Sequence, residues 1–425
     1  MEKRNTALRT QRGSYCVNRD HIVVSTPTGN HVTDLYEQAL AATTKLEGIN
    51  LALFGMAALD EVADKPGCFR AAPNATLVNE GVIEIHIDEV VKKYRNLVKK
   101  DARSEEGKYR FIKVFALLAG KDSMVINNGI IKIYCDYDKD EETPVYTQVL
   151  YGGENSTIIN NGEIHLIGNG SYNTHIRTMA VPANNMTLLN NGLIHVETER
   201  AATIRCMATS GTGGSLTNYG KINVNAPGRI MTMGRFASTN VLNAGEINLT
   251  SVATFMENKV AFLYQSYPLA CAFYEHSLPN KTSLPPIINS GTVKVHLQGS
   301  EASTEKAVAF GIYTELTERD EKLHVYENTG SITVTKSGPY DFQIAEFGIN
   351  VQQAKDAPFR VKIRRWKTTE RDFAATKDLI VCGSGIFDLS EAEFMTPDGK
   401  SLPKENTVWQ NEENAKRGDT FEVIY

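Results

Sequence analysis

Apolar and polar positions of this chain repeat in one short motif along most of its length. The motif is an apolar residue, Asn, any residue, Gly, any residue, Ile or Val, any residue and a second aliphatic residue. Its Asn and Gly pairs are Asn79 and Gly81, Asn127 and Gly129, Asn160 and Gly162, Asn190 and Gly192, Asn218 and Gly220, Asn243 and Gly245, Asn289 and Gly291, and Asn328 and Gly330. A ninth copy over residues 383–389 has Gly383 in place of the Asn.

After each Gly, apolar and polar residues alternate with a period of two, which predicts a β-strand with one buried face. The residues three positions past Gly are all polar, whereas those two and four positions past Gly are all apolar. The column two past Gly contains Ile83, Ile131, Ile164, Ile194, Ile222, Ile247, Val293, Ile332 and Phe387. Another apolar column stands two residues before the Asn. One strand therefore enters the Asn-x-Gly corner and another leaves it.

The corner residues have a predicted role in turn geometry. We expect Gly to supply a positive φ, a conformation that Asn tolerates next best. A stacked column of Asn side chains can also form hydrogen bonds from one coil to the next, as amide ladders do.

The spacing of the motif predicts the fold class. Successive Gly residues lie 33, 30, 28 and 25 residues apart between Gly129 and Gly245, a range typical of a β-solenoid. Each coil leaves its apolar face open, so neighbouring coils must stack in parallel. We expect an all-β parallel β-helix, right-handed as parallel crossovers are. A sandwich of hairpins would not repeat one corner motif in phase.

The chain divides by this motif into three parts: an N-terminal capping segment (1–74), the β-helix (75–390) and a C-terminal cap or tail (391–425). The cap is predicted to be partly helical from Asp34, with Leu51, Phe54 and Leu59 at helical spacing. Residues 88–108 are predicted to form a lateral helix. A second strand is expected in each central coil, over residues 145–151, 175–181, 203–208 and 229–236.

Composition narrows the function classes. The net charge of −5 implies no electrostatic field for nucleic acid. No apolar run of about 18 residues exists, so no membrane-spanning helix is expected. The residues after Met1 are polar and do not resemble a secretory signal, which predicts a cytoplasmic location or export without such a signal. The six cysteines lack metal-ligand spacing, and no cofactor is predicted.

Candidate chemistry is sparse. His165 and His195 occupy the same column of adjacent coils, near enough to share a metal ion. Two ligands do not complete a site, however, and an exposed histidine ladder is the alternative. The same column contains no adjacent pair of carboxylates of the kind a glycosidase needs. The sequence therefore assigns no catalytic residue.

Aromatic residues are concentrated in the insert over 252–280, where Tyr and Phe side chains suit a partner-binding surface. The alternative is that they fold back onto the coils or form one more coil. The strand predicted over 359–367 has a basic face for an anion, or charges that protect an edge. The proposed contact residues of the insert are Phe255, Phe262, Tyr264, Tyr267, Phe273 and Tyr274.

Over about residues 75–390, the Asn-x-Gly-x-Ile-x-Val repeats resemble those of autotransporter passenger regions and related β-helical surface proteins of bacteria, including adhesins. The resemblance implies a bacterial, non-enzymatic binding or scaffold protein with a protein or glycan partner. We expect the chain to depart from that family in lacking a signal peptide and a translocator barrel. Two alternatives stay open: a carbohydrate-active enzyme (lyase or hydrolase) and a secreted or delivered effector. The oligomeric state is left open.

Overall fold

A computed structural model of the chain describes a set of ranges that together contain most of the repeats. These ranges are 8–25, 51–61, 69–87, 112–136, 145–170, 174–201, 203–253, 269–277, 284–299, 307–316, 323–339, 343–351, 359–367, 379–381, 385–388, 394–395, 400 and 421–424. Within them every regular element is a β-strand.

The strands, numbered in chain order, form three long sheets. Sheet A contains β1 (Leu8–Thr10), β4 (Leu51–Glu61), β5 (Phe69–Ala71), β8 (Ile112–Leu118), β11 (Val145–Gln148), β12 (Leu150–Tyr151), β15 (Thr174–Val181), β18 (Thr203–Thr209), β21 (Arg229–Arg235), β24 (Leu269–Ser277), β27 (Val308–Leu316), β30 (Gln343–Val351) and β32 (Leu379–Val381). Sheet B contains β2 (Tyr15–Asn18), β6 (Thr76–Asn79), β9 (Met124–Asn127), β13 (Thr157–Asn160), β16 (Thr187–Asn190), β19 (Gly214–Asn218), β22 (Thr239–Asn243), β25 (Ile287–Asn289), β28 (Leu323–Asn328), β31 (Phe359–Lys367), β33 (Gly385–Asp388), β34 (Phe394–Met395) and β35 (Phe421–Ile424). Sheet C contains β3 (His21–Val24), β7 (Val82–His86), β10 (Ile130–Tyr134), β14 (Glu163–Gly168), β17 (Leu193–Thr198), β20 (Lys221–Pro227), β23 (Glu246–Val252), β26 (Thr292–Gln298) and β29 (Ser331–Ser337).

Each coil passes through sheet B, the Asn-x-Gly corner, sheet C and then sheet A, as β13, β14 and β15 do. Strands of successive coils pair in parallel, and the only antiparallel pair among the described strands is β4 with β5. The predicted all-β parallel β-helix is therefore confirmed. The second strands predicted in the central coils correspond to β11 with β12, β15, β18 and β21.

The core is built from the apolar columns that the motif predicts. Ile131 pairs with Ile164, and Ile164 with Ile194, so identical side chains stack inside the coil. All three are fully buried, and each such side chain contributes about 1.5–3 kcal/mol by leaving water. The polar residues between them lie on the outer face of sheet C, as the two-residue period requires.

The prediction of a helix through Leu51, Phe54 and Leu59 is wrong. These residues form β4, which pairs in parallel with β1 on one side and β8 on the other. A run of apolar residues satisfies both helical and strand periods, and here pairing with neighbouring coils decides the outcome. Residues 34–50 and the helix predicted over 88–108 lie outside the described residues. The division of the chain at residues 74 and 390 stays a prediction, although the three sheets already contain strands before residue 75.

The motif also has a copy that the sequence analysis missed and one that it misplaced. Asn18 ends β2 and stacks on Asn79, with Asp20 where the other copies have Gly. The signal was present in Ile22 and Val24, which stand at the usual spacing after the Asn. The supposed ninth copy is not a corner of this kind, because β33 pairs with β31 and extends sheet B rather than sheet C.

The corner glycines act through close approach and not through a positive φ. The glycines with positive φ among the described residues are Gly13, Gly168, Gly170, Gly213, Gly228 and Gly338, none of which belongs to the motif. A Cβ at Gly192 would instead lie 1.9 Å from the carbonyl oxygen of Gly162 in the preceding coil. Positive φ occurs at the other corner, between sheets A and B, at Asn74, Asp122, Asn155 and Asn185.

Candidate binding surfaces

The Asn column forms a continuous buried ladder. The side-chain amide of each Asn donates to the side-chain oxygen of the next, over Nδ2–Oδ1 distances of 2.7–2.8 Å. The ladder contains Asn18, Asn79, Asn127, Asn160, Asn190, Asn218, Asn243, Asn289 and Asn328. From Asn79 onward these side chains have no solvent exposure. The motif Asn residues therefore hold the coils together, and a partner does not reach them.

The ladder ends in a different contact at its C-terminal side. The amide of Asn328 donates to the carbonyl oxygen of Lys367 at 2.6 Å. In the next coil, Trp366 stands opposite Asn328 after a shift in strand register. The Trp366 ring is buried and its Nε1 donates to Glu346 at 2.8 Å. A bulky aromatic residue thus replaces the amide where the motif stops.

An open groove follows the outside of the corner between sheets B and C. It crosses four successive coils, which corresponds to about 14 Å at the usual strand spacing. Its lining combines corner glycines, hydroxyl groups and charged side chains. These residues are Tyr219, Gly220, Lys221, Ala244, Gly245, Glu246, Ser290, Gly291, Thr292, Lys294, Thr329, Gly330, Ser331, Thr333, Val334, Thr335 and Lys367.

The groove presents its polar groups on a rigid base. Gly220, Gly245, Gly291 and Gly330 leave the floor without side chains, and the fully buried ladder lies directly behind them. Tyr219 is exposed over 57% of its surface at one edge. Lys221 forms an ion pair with Glu246 at 3.3 Å, and both side chains remain substantially exposed. Sequence analysis placed these residues at the corner but did not recognise them as one surface.

The two candidate metal ligands, His165 and His195, are direct partners on β14 and β17, with ring centroids 5.8 Å apart. Each ring lies beside a different carboxylate: Glu163 at 2.7 Å from His165, and Glu197 at 3.3 Å from His195. Within the described ranges, no group of three or more His, Cys, Asp or Glu side chains is arranged to hold a metal ion. The geometry matches an exposed ladder of histidine–carboxylate pairs.

A second set of ionisable side chains is buried inside the β-helix. Arg235, Glu275, His324 and Tyr326 are at most 1% exposed. Both Nε and one terminal nitrogen of Arg235 donate to the same oxygen of Glu275, at 3.1 and 2.8 Å. His324 lies 3.1 Å from that oxygen, and the Tyr326 hydroxyl donates to the other one.

Neighbouring side chains stabilise the negative charge of Glu275. Burial alone would raise the pKa of this carboxyl, but the positive charge of Arg235, the neighbouring His324 and the hydrogen bond from Tyr326 hold it well below its ordinary value. A ligand in solvent cannot reach these atoms. We therefore assign the cluster to stability and not to a reaction.

The aromatic insert has a mixed outcome. Phe273 and Tyr274 belong to β24 of sheet A and are 0% and 2% exposed. The prediction that they contribute to an exposed surface is therefore wrong. Phe273 packs in the core, whereas Tyr274 packs on the outer face of sheet A against Phe236 and Tyr313. Phe255, Phe262, Tyr264 and Tyr267 lie outside the described residues. The basic strand predicted over 359–367 is present as β31.

Comparison with known proteins gives one family. The family model of the BigA fourth domain matches residues 41–265, which is more than half of the 425-residue chain. No curated protein and no solved structure matches the chain. The matched region contains the ladder from Asn79 to Asn243 and the first half of the groove. In the part of the chain that the structure describes, no helix has the length and hydropathy needed to cross a membrane.

Proposed function

Since the chain belongs to the BigA fourth domain family, we propose that it is a bacterial surface-associated, adhesin-like protein whose β-helix binds a protein or glycan partner without catalysing a reaction. The observation that carries this proposal is the open groove along the corner between sheets B and C. A groove that crosses several coils suits an extended ligand better than a compact one.

The groove has the chemistry of a binding surface. Hydroxyl groups of Thr292 and Thr333 can each donate and accept hydrogen bonds, which suits sugar hydroxyls or a peptide backbone. The Ser290 hydroxyl donates to the carbonyl oxygen of Asn243 and can still accept. Lys221 and Lys294 add positive charge, and the exposed ring of Tyr219 offers a flat apolar face. The stacked coils fix these groups in place, so that little ordering of the protein is required on binding.

The alternative of a carbohydrate-active enzyme is less well supported. Hydrolysis of a glycosidic bond by the usual mechanisms requires two carboxylates about 5–9 Å apart. The described lining of the groove contributes one carboxylate, Glu246, which is paired with Lys221. The groove therefore supports binding more directly than hydrolysis.

A glycan array and a panel of surface proteins, each probed with the full chain, test the proposal. The double variant Lys221→Glu/Lys294→Glu reverses two charges in the groove, and Lys121→Glu reverses one exposed charge outside it. We expect the double variant to lose at least ten-fold in affinity for the best ligand, and Lys121→Glu to match the parent. Equal binding by all three proteins, or cleavage of the bound glycan, would contradict the proposal.

A further inference from the structure

The outer face of sheet A, opposite the groove corner, carries three arginines on adjacent strands. Arg177 on β15 pairs directly with Arg205 on β18, and Arg229 on β21 pairs with Thr203, two residues before Arg205. Ile176, Ile204 and Ile230, the residues beside them in the chain, are fully buried. Because side chains alternate along a strand, the three arginines point away from the core. We call Arg177, Arg205 and Arg229 the arginine patch.

Aromatic rings support the guanidinium groups of the patch. The guanidinium carbon of Arg177 lies 4.6 Å from the ring centre of Tyr146, and that of Arg205 lies 4.5 Å from Phe236. Arg229 lies 5.4 Å from the Tyr274 ring. These contacts orient the planar groups without neutralising their charge, because an aromatic ring has no net charge to offer.

Arg205 differs from Arg229 in its partners. Arg229 donates to Glu315 at 2.7 Å and to the Tyr274 hydroxyl at 3.0 Å. The Nε atoms of both arginines are buried and have no hydrogen-bond acceptor among the described residues. The two arginines therefore differ in the ion pair of Arg229 and not at Nε. A buried guanidinium nitrogen without an acceptor has lost its contact with water and gained no hydrogen bond in exchange, which costs free energy.

The pKa values of Arg205 and Arg229 are shifted in opposite directions. Burial, together with the like charges of Arg177 and Arg229, lowers the pKa of Arg205 to about 10. Burial also opposes the charge of Arg229, but Tyr274 and Glu315 raise its pKa above the ordinary value. The potential at Arg205 is therefore positive and incompletely compensated.

We propose that the arginine patch is a binding site for the sulfate or carboxylate groups of an acidic glycan, with Arg205 as its central contact. Strands about 4.8 Å apart place successive guanidinium groups at a spacing that suits repeated anionic groups on one chain. Planar guanidinium groups bind such oxyanions through paired N–H donors. The site lies on a different face from the groove, so this inference extends the proposed function to a second surface and a defined class of ligand.

Binding of a dextran sulfate oligosaccharide to the full chain, compared with neutral dextran of the same length, tests the site. We expect the sulfated chain to bind at least ten-fold more tightly, and Arg205→Gln to remove most of that difference while thermal unfolding is unchanged or shifts upward. Arg365→Gln removes an exposed arginine of β31 and is the matched control, expected to bind as the parent does.

Two further measurements distinguish the arginine patch from the groove, and an acidic glycan from an acidic peptide. Lys221→Glu/Lys294→Glu, the groove variant, should retain binding of dextran sulfate, and polyaspartate of similar length should compete at least ten-fold less well. Binding lost in the groove variant but kept in Arg205→Gln would overturn the assignment, as would equal competition by polyaspartate. Sodium sulfate alone should displace the oligosaccharide only at much higher concentration, because one anion makes a fraction of the contacts.

Discussion

Arg235 and Glu275 form a fully buried ion pair in which two guanidinium nitrogens donate to one carboxylate oxygen. The two residues are direct partners on adjacent strands of sheet A. The guanidinium also donates to the carbonyl oxygens of Thr239 and Pro285. The hydrogen bonds of this buried charge pair are thus supplied by its own neighbours in the coil interior.

Glu275→Gln should destabilise the protein strongly, because it leaves the buried charge of Arg235 without its counter-charge. The expected loss is about 3–5 kcal/mol in the free energy of unfolding, measured by chemical denaturation. Glu246→Gln breaks an exposed ion pair with Lys221 and should cost less than about 1 kcal/mol. Similar losses in the two variants would mean that the Arg235–Glu275 pair is not sealed from water.

Asn190→Ala tests the buried ladder. The substitution removes two amide–amide bonds of 2.7 Å, to Asn160 and Asn218, and leaves their polar atoms in a dry interior. We expect a loss of about 2–4 kcal/mol in the free energy of unfolding.

The adjacent Asn191 provides a matched control. It also forms an amide–amide bond with the preceding coil, to Asn161 at 2.8 Å, but on the exposed side of the corner. Water replaces that bond, so Asn191→Ala should change stability by less than about 0.5 kcal/mol. An equal effect of the two substitutions would refute the distinction between buried and exposed ladders.

The fold could be predicted from the sequence because the core repeats in phase with the motif. Ile194 and Ile222 are buried partners on β17 and β20, as the alternation required. Segments without the motif were harder to assign. Leu51 to Leu59 suit a helix or a strand equally well, and only pairing with distant coils distinguishes the two.

The candidate surfaces were less predictable than the fold, since they combine residues from coils about 25–50 positions apart in the chain. The groove joins Lys221 to Lys294, and the arginine patch joins Arg177 to Arg229. The sequence did contain a signal for the arginine patch, because Arg177 and Arg205 occupy equivalent positions on neighbouring strands of sheet A. Recognising it required the register of sheet A, which lacks a corner motif of its own.

Gly192→Ala should be among the most damaging single-methyl substitutions in the chain. The added Cβ would meet the backbone carbonyl oxygen of Gly162 at 1.9 Å, and a backbone atom in a stacked coil cannot move aside alone. We expect a loss of at least about 3 kcal/mol, at the upper end for overpacking. Gly234→Ala, whose Cβ would meet no atom closer than 3.5 Å, should change stability by less than about 1 kcal/mol. Comparison of the two thermal midpoints decides whether close approach selects the corner glycines.

Acid should destabilise the protein in part through His175. Its ring is 8% exposed and stacks on Tyr146 with centroids 5.3 Å apart. Burial, followed by the charges of Arg177 and Arg205, lowers the pKa of His175 to about 3. The unfolded chain, in which a histidine titrates near 6.5, therefore binds a proton that the folded chain rejects. The contribution of His175 to the free energy of unfolding is fully present above about pH 6.5 and declines as the pH falls toward 3.

His175→Gln removes that proton linkage and gives the test. Between pH 7.5 and pH 5, the histidine should account for about 2 kcal/mol of the fall in the free energy of unfolding. Denaturation at the two pH values should show a correspondingly smaller fall in His175→Gln than in the parent. His195→Gln, which replaces a partly exposed histidine of sheet C, is the control for the loss of an imidazole elsewhere in the protein. If His175→Gln and the parent lose equal stability over this range, His175 is not held neutral by its surroundings.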